Sequence, residues 1–139
     1  MATLIRPEIS EKSQYYIDKH RYYELKHFCL QYQFWKKSYA AYNELCLPGS
    51  IYDRAPSGNV KSDPTARYAM LRARYAEKIR LIEAAAIGAD PDLYSYILKG
   101  VTEGLSYTYL KTTLGMPCGR DMYYDRYRKF FWLLSEARD

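Results

Sequence analysis

The sequence predicts an all-α protein, on three observations. Alternating runs of Val, Ile and Thr are missing and only two Val occur. Apolar side chains recur at helical spacing. The strongest turn signals, Ser62-Asp63-Pro64, Asp90-Pro91 and Leu114-Gly115, are of the kind that start or stop helices. A chain of 139 residues suits one compact domain with a single core. Its 48% hydrophobic and 27% charged content is that of a soluble globular protein, and no stretch approaches the ~20 apolar residues of a membrane span.

Residues 13–45 carry two amphipathic stretches. Leu25, Phe28, Cys29 and Tyr32 fall at i, i+3, i+4 and i+7, and a second stripe runs from Phe34 through Tyr42 to Leu45. Two helices or one kinked helix are expected, each with an apolar face to bury. Leu47 to Lys61 is the longest turn-rich segment. Ser62-Asp63 can cap a helix whose first residue, Pro64, lacks an N–H that would have had no partner anyway. That helix should run to about Ile87 with Met70, Leu71, Tyr75, Ile79 and Ile82 inward. Arg67, Arg74 and Lys78 lie along an outer side, and Gly88 takes the left-handed conformation that closes the helix.

Asp90-Pro91 repeats the start signal, and the helix it opens passes through Leu93, Tyr96, Ile97 and Val101 to a stop at Gly104. Ser106 caps a short helix from Tyr107 to Leu114, and Gly115 sits where the turn needs φ > 0. Met116 to Gly119 form the turn, and a last helix runs from Arg120 to about Ser135.

A formal net charge of +5 biases the chain toward polyanions, because each phosphate neutralised by Lys or Arg releases condensed counterions. The seventeen Tyr are expected mainly between helices with wet hydroxyls, some of them touching sugar-phosphate. The first residues show no apolar export signal, so Cys29, Cys46 and Cys118 are read as free thiols in a reducing cytoplasm. His20, His27 and Cys29 are close in sequence but do not make a four-ligand zinc set. Cys118 lies beside a helix start, yet no base accompanies it. Phosphate loops, paired catalytic carboxylates and nucleophile elbows do not occur, so no enzyme, metal or cofactor is expected.

The functional reading comes from the order of elements between Asp90 and Asp139: a helix, a Gly stop, a short helix ending in Leu-Gly, a tight turn, and a final helix rich in Arg and aromatics. This is the order of a helix-turn-helix, whose first short helix crosses the phosphate backbone while the second enters the major groove. The string EGLSYTYLKTTLGMPCGRDMYYDRYRKFFWLL, Glu103 to Leu134, resembles sigma-factor region four. MPCGRDMYYDRYRKFFWLLSE, Met116 to Glu136, resembles the closing segment of the RinA and ArpU-like phage regulators. LKHFCLQYQFWKKSY, Leu25 to Tyr39, is similar to small phage proteins of Firmicutes with such an ending.

The resemblance implies a cytoplasmic phage or prophage transcription regulator that binds double-stranded DNA and activates late or packaging genes alongside RNA polymerase. A homodimer is expected on separate grounds, because a lone helix-turn-helix buries a small interface and two-fold related half-sites raise affinity. The turn signals divide the chain into N-terminal amphipathic helices at 1–47 for packing or oligomerisation, a loop at 48–63, and a DNA-binding domain at 64–139. The competing reading is a protein-interaction module, an inhibitor of a host factor or a packaging component, in which the helix-turn-helix is structural. Gly119 at the helix entrance and the acidic Asp121 and Asp125 depart from a uniformly basic reader.

At ~100° per residue, Tyr123, Tyr127, Phe130, Phe131 and Leu134 of the last helix converge on one side, which must be core. Arg120, Tyr124 and Arg128 form a ridge along one edge of that face, and Met122, Arg126 and Lys129 run along the other. The N-terminal half of a recognition helix makes the base contacts, so Arg120 and Tyr124 are the first candidates for base edges and Arg128 for phosphate. Arg126 and Lys129 are the alternative. Asp121, Asp125, Arg126 and Lys129 are equally well read as a solvated face in which Asp125 pairs with Lys129. On the short helix, the N–H groups near Ser106 and Tyr107 can face a phosphate, with Lys111 adding charge. Arg67, Arg72, Arg74, Lys78 and Arg80 extend a basic surface or, diluted by Glu77 and Glu83, only a solvated one.

Overall fold

The computed structural model describes residues 13–47 and 64–139. Among them the chain is helical throughout, with no strand: α1 (Lys19–Leu30), α2 (Tyr32–Leu45), α3 (Pro64–Ala89), α4 (Tyr94–Glu103), α5 (Tyr107–Thr112) and α6 (Arg120–Arg138). Residues 48–63 of the expected loop, with the Ser62-Asp63 cap, lie outside the described residues. No helix of the described residues is long and apolar enough to cross a membrane.

The helices form two compact units, one made of Met1–Gln31 with Leu81–Asp139 and the other of Tyr32–Arg80. These divisions differ from the boundaries at 47 and 64 that the turn-rich segment suggested. The reason is that α1 packs with α4 and α6, far beyond it in sequence, and Gln31 separates α1 from α2.

In the first unit, Asp18 caps α1 by accepting the His20 N–H at 2.9 Å. The predicted stripe is inside: Leu25 and Cys29 are fully buried, with Tyr22 and Phe28 nearly so. Facing them are Ile97 and Val101 of α4 and Tyr123, Phe130, Phe131 and Leu134 of α6, all buried. Each such side chain contributes about 1.5–3 kcal/mol of burial, which binds α1 to the C-terminal helices across the intervening chain. At the rim, the Arg21 guanidinium donates to the Ser135 hydroxyl and carbonyl, both at 3.0 Å, and to Asp139 at 2.7 Å. It thereby satisfies a carbonyl in the last turn of α6 that has no intrahelical donor. Arg138 returns across the ring of Phe28 at 4.1 Å.

Gly100 lies where α4 meets α5 and α6. A Cβ there would stand 2.5 Å from the Tyr123 hydroxyl and 3.3 Å from Leu110 Cδ1, so only glycine lets the helices approach this closely.

In the second unit, α2 lies against the first part of α3 through large side chains. Phe34 and Tyr42 both meet Tyr75, at 6.2 Å and 6.0 Å between ring centroids, Tyr42 meets Tyr68 at 5.8 Å, and Lys78 sits over Trp35 at 5.1 Å. Arg72 donates to Asn43 at 3.1 Å. As numbers rise along α2 their partners fall along α3, so the two run antiparallel.

Three expectations need correction. Gly88 does not close α3 in the left-handed region; among the described residues the positive-φ glycines are Gly104 and Gly115. The helix continues to Ala89, and Gly88 is tight because Leu133 of α6 would stand 3.1 Å from a Cβ there. Met70 does not point inward but is 60% exposed, as is Phe34, whereas the neighbouring Trp35 is 3% exposed. Finally, α4 begins at Tyr94 behind a turn at 91–93. The start signal still operates, since the Asp90 carboxylate accepts the Asp92 N–H at 2.9 Å and the Leu93 N–H at 3.2 Å.

Candidate nucleic-acid interface

Ser106 begins α5, its hydroxyl accepting the Tyr109 N–H at 3.1 Å, the N-cap geometry its spacing predicts. Beyond Thr112 the chain leaves the helix through Gly115, at φ 70°, where an L side chain would be strained. The Met116 N–H closes the turn on the Leu110 carbonyl at 3.0 Å. Met116 and Cys118 tuck inward, at 1% and 8% exposure, and anchor the connection before Gly119 leads into α6.

Tyr107 ties this connection together. Its hydroxyl donates to the Cys118 carbonyl at 3.2 Å, and its ring contacts Tyr123 at 5.8 Å and Tyr124 at 6.2 Å. The Arg120 guanidinium lies over that ring at 4.8 Å, a cation–π contact that orients the first side chain of α6 toward α5. Burial pushes the Tyr124 phenol up, against the opposing Arg120 charge and the Tyr107 N–H. Ser106, Lys111, Gly119 and Arg120 are exposed, and Tyr124, Arg128 and Lys129 are half-buried.

The core face of α6 is where the wheel puts it. Tyr123, Phe130, Phe131 and Leu134 are at most 1% exposed, and the half-buried Tyr127 shares a 2.8 Å hydrogen bond between its hydroxyl and that of Tyr22. Burial, with Tyr22 alongside, holds the Tyr127 phenol well above its usual range.

The two ridges of α6 differ in what engages them. Arg126 donates from Nε to Asp90 at 3.1 Å and from Nη1 to Asp125, so Asp125 turns to Arg126 and not to Lys129. Burial pushes the Asp90 carboxyl up, but the Asp92 N–H, the Arg126 guanidinium and the Leu93 N–H outweigh it and leave it below the ordinary carboxylate range. Arg126 is thereby bound to the corner between α3 and α4. No pattern in the sequence signals this pair, whose members stand 36 positions apart. Arg120, Arg128, Lys129 and Lys111 form no ion pair with a described residue.

Among the described residues no group of three or more His, Cys, Asp or Glu is placed to hold a metal ion. No protein-family model matches the chain, and no curated protein and no solved structure matches it either.

Proposed function

We propose that the chain is a phage or prophage transcription regulator in which α5 and α6 form a helix-turn-helix of the sigma region-four type, reading duplex DNA beside RNA polymerase. The observation that carries this reading is Arg120. It is exposed in the first turn of α6, oriented by Tyr107 and unpaired with any described carboxylate, the position from which a recognition helix contacts bases. Tyr124 and Arg128 follow on the same ridge, and Lys111 supplies a cation on the preceding helix. Arg126 leaves the contact set, because Asp90 and Asp125 engage it.

Selection from a random duplex library, followed by mobility shifts at several salt concentrations, tests the reading. A preferred sequence should emerge, Arg120→Ala should relax that preference at one position, and Lys129→Ala should weaken all sequences evenly or not at all. No binding at about 50 mM salt, or equal binding of all sequences, overturns it.

One observation favours the second reading, a protein-docking module. The unit that holds α5 and α6 has twelve Lys and Arg against twelve Asp and Glu, with no excess charge to draw it to phosphates. Under that reading Arg120→Ala changes affinity for a protein partner and leaves DNA untouched.

A further inference from the structure

The charge of the chain is unevenly placed. The unit Tyr32–Arg80 holds nine Lys and Arg against four Asp and Glu, whereas the rest is balanced. The whole excess of +5 therefore belongs to a unit outside the α5–α6 segment. On the part of α3 that belongs to this unit, residues 64–80, Glu77 is the only acidic residue and is already engaged, accepting from Arg80 at 2.6 and 2.9 Å; Glu83 lies beyond it. Arg72 is turned inward to the neutral Asn43.

Three cations remain. Arg67 and Arg74 are exposed and pair with no described carboxylate. The aliphatic stem of Lys78 lies half-buried beside α2, with its ammonium over Trp35. At ~100° per residue these three fall within about 40° of one another, and a rise of 1.5 Å per residue spreads them over roughly 16 Å. That is a straight single-sign ridge. Duplex DNA presents one phosphate per 3.4 Å of axis on each strand, so about five phosphates of one strand pass along its length.

We infer that the Arg67–Arg74–Lys78 ridge of α3 is a phosphate-backbone site, which grips duplex DNA without regard to sequence. The inference rests on the DNA-binding reading only for its choice of polyanion. An acidic protein surface fits less well. The exposed residues between the cations are Met70, Ala73 and Glu77, the last already taken up by Arg80, which offer a protein partner few free groups to recognise, and a backbone contact needs none.

The test uses the full chain and a fluorescent 30-base-pair duplex of random sequence, so it does not depend on finding an operator. Log affinity is measured against log salt. Each lost phosphate contact lowers the slope by about 0.9, so the triple variant Arg67→Gln/Arg74→Gln/Lys78→Gln should flatten it by about 2.7. The double variant Arg67→Gln/Arg74→Gln, which leaves the Lys78–Trp35 contact in place, should flatten it by about 1.8 and covers the case in which the triple variant misfolds. The ratio between preferred and random sequences should stay constant in both. Unchanged slopes overturn the inference while leaving sequence-specific binding through Arg120 intact. No binding of the random duplex by the parent chain, or binding only to phosphatidylserine vesicles, overturns it as well. A lost sequence preference with the slope change retained strikes the helix-turn-helix reading alone.

Discussion

Replacing Gly100 by Ala sets two effects of known size against each other. Inside a helix the change should stabilise by about 1 kcal/mol, because Ala gives up less backbone freedom than Gly. Here the new methyl would lie 2.5 Å from the Tyr123 hydroxyl and 3.3 Å from Leu110 Cδ1. Tyr123 is 1% exposed and Leu110 fully buried, so neither can swing into solvent. Overpacking a tight core costs about 1–3 kcal/mol, and a hydroxyl at 2.5 Å belongs toward the upper end. The expected result is a net loss of about 1–2 kcal/mol, or roughly 3–8 °C in Tm, followed by thermal and urea unfolding. Tyr123→Phe removes the clashing oxygen, which has no described hydrogen-bond partner, so the double variant should recover at least about 1 kcal/mol relative to additivity. A Gly100→Ala protein as stable as the parent would falsify the close approach of α4 to α6. Strict additivity with Tyr123→Phe would place the strain elsewhere.

Further outcomes follow from the same structure. Asp90→Ala removes two backbone caps and leaves Arg126 without its partner at the α3–α4 corner, so it should cost about 2–4 kcal/mol in denaturant midpoint experiments. Because the folded-state pKa of Asp90 is depressed, its contribution is fully present above the unfolded value of about 3.9. It is lost as pH falls through the lower folded value, so Asp90→Asn should flatten the stability profile below about pH 4 and nowhere else. Gly115→Ala meets no atom within 4 Å, so its cost is conformational alone, about 1–2 kcal/mol, with Gly115→Asn losing less; equal stability of all three forms would show that the positive φ is not required. Ellman titration of the native chain should find one fast thiol, the half-exposed Cys46. Cys29 and Cys118 are buried, and burial, opposed by Arg138 for Cys29 and by Lys111 and Arg126 for Cys118, pushes both thiols up. Their labelling should keep pace with unfolding.

What could be read from the chain beforehand is what depends on neighbours in sequence. The cap at Ser106, the stop at Gly104, the positive φ at Gly115, the α1 stripe and the core face of α6 all follow from residues within about two helical turns. The misreadings share one cause. A helical wheel points Met70 inward because it assumes one partner along the whole helix, whereas α3 supplies residues to two units. Gly88 has the sequence of a terminator but packs against Leu133, and Arg126, an alternative contact on the helical wheel, is engaged by Asp90. For Arg126 and Gly88 the deciding neighbours lie 36 and 45 positions away in sequence, and residue spacing holds no record of such contacts.

The Arg21 clasp on the end of α6 also sets an order of events during synthesis. Arg21 and Ser135 are 114 positions apart, and the apolar side of α1 has its cover on α4 and α6. At ~5–20 residues per second, α1 leaves the ribosome roughly 6–20 seconds before α6 exists. Through that interval Leu25, Phe28 and Cys29 lack the helix that shields them in the finished protein. Residues 32–80, whose α2–α3 pairings need nothing synthesised later, can associate in the meantime. α1 is therefore secured only after α6 has been made.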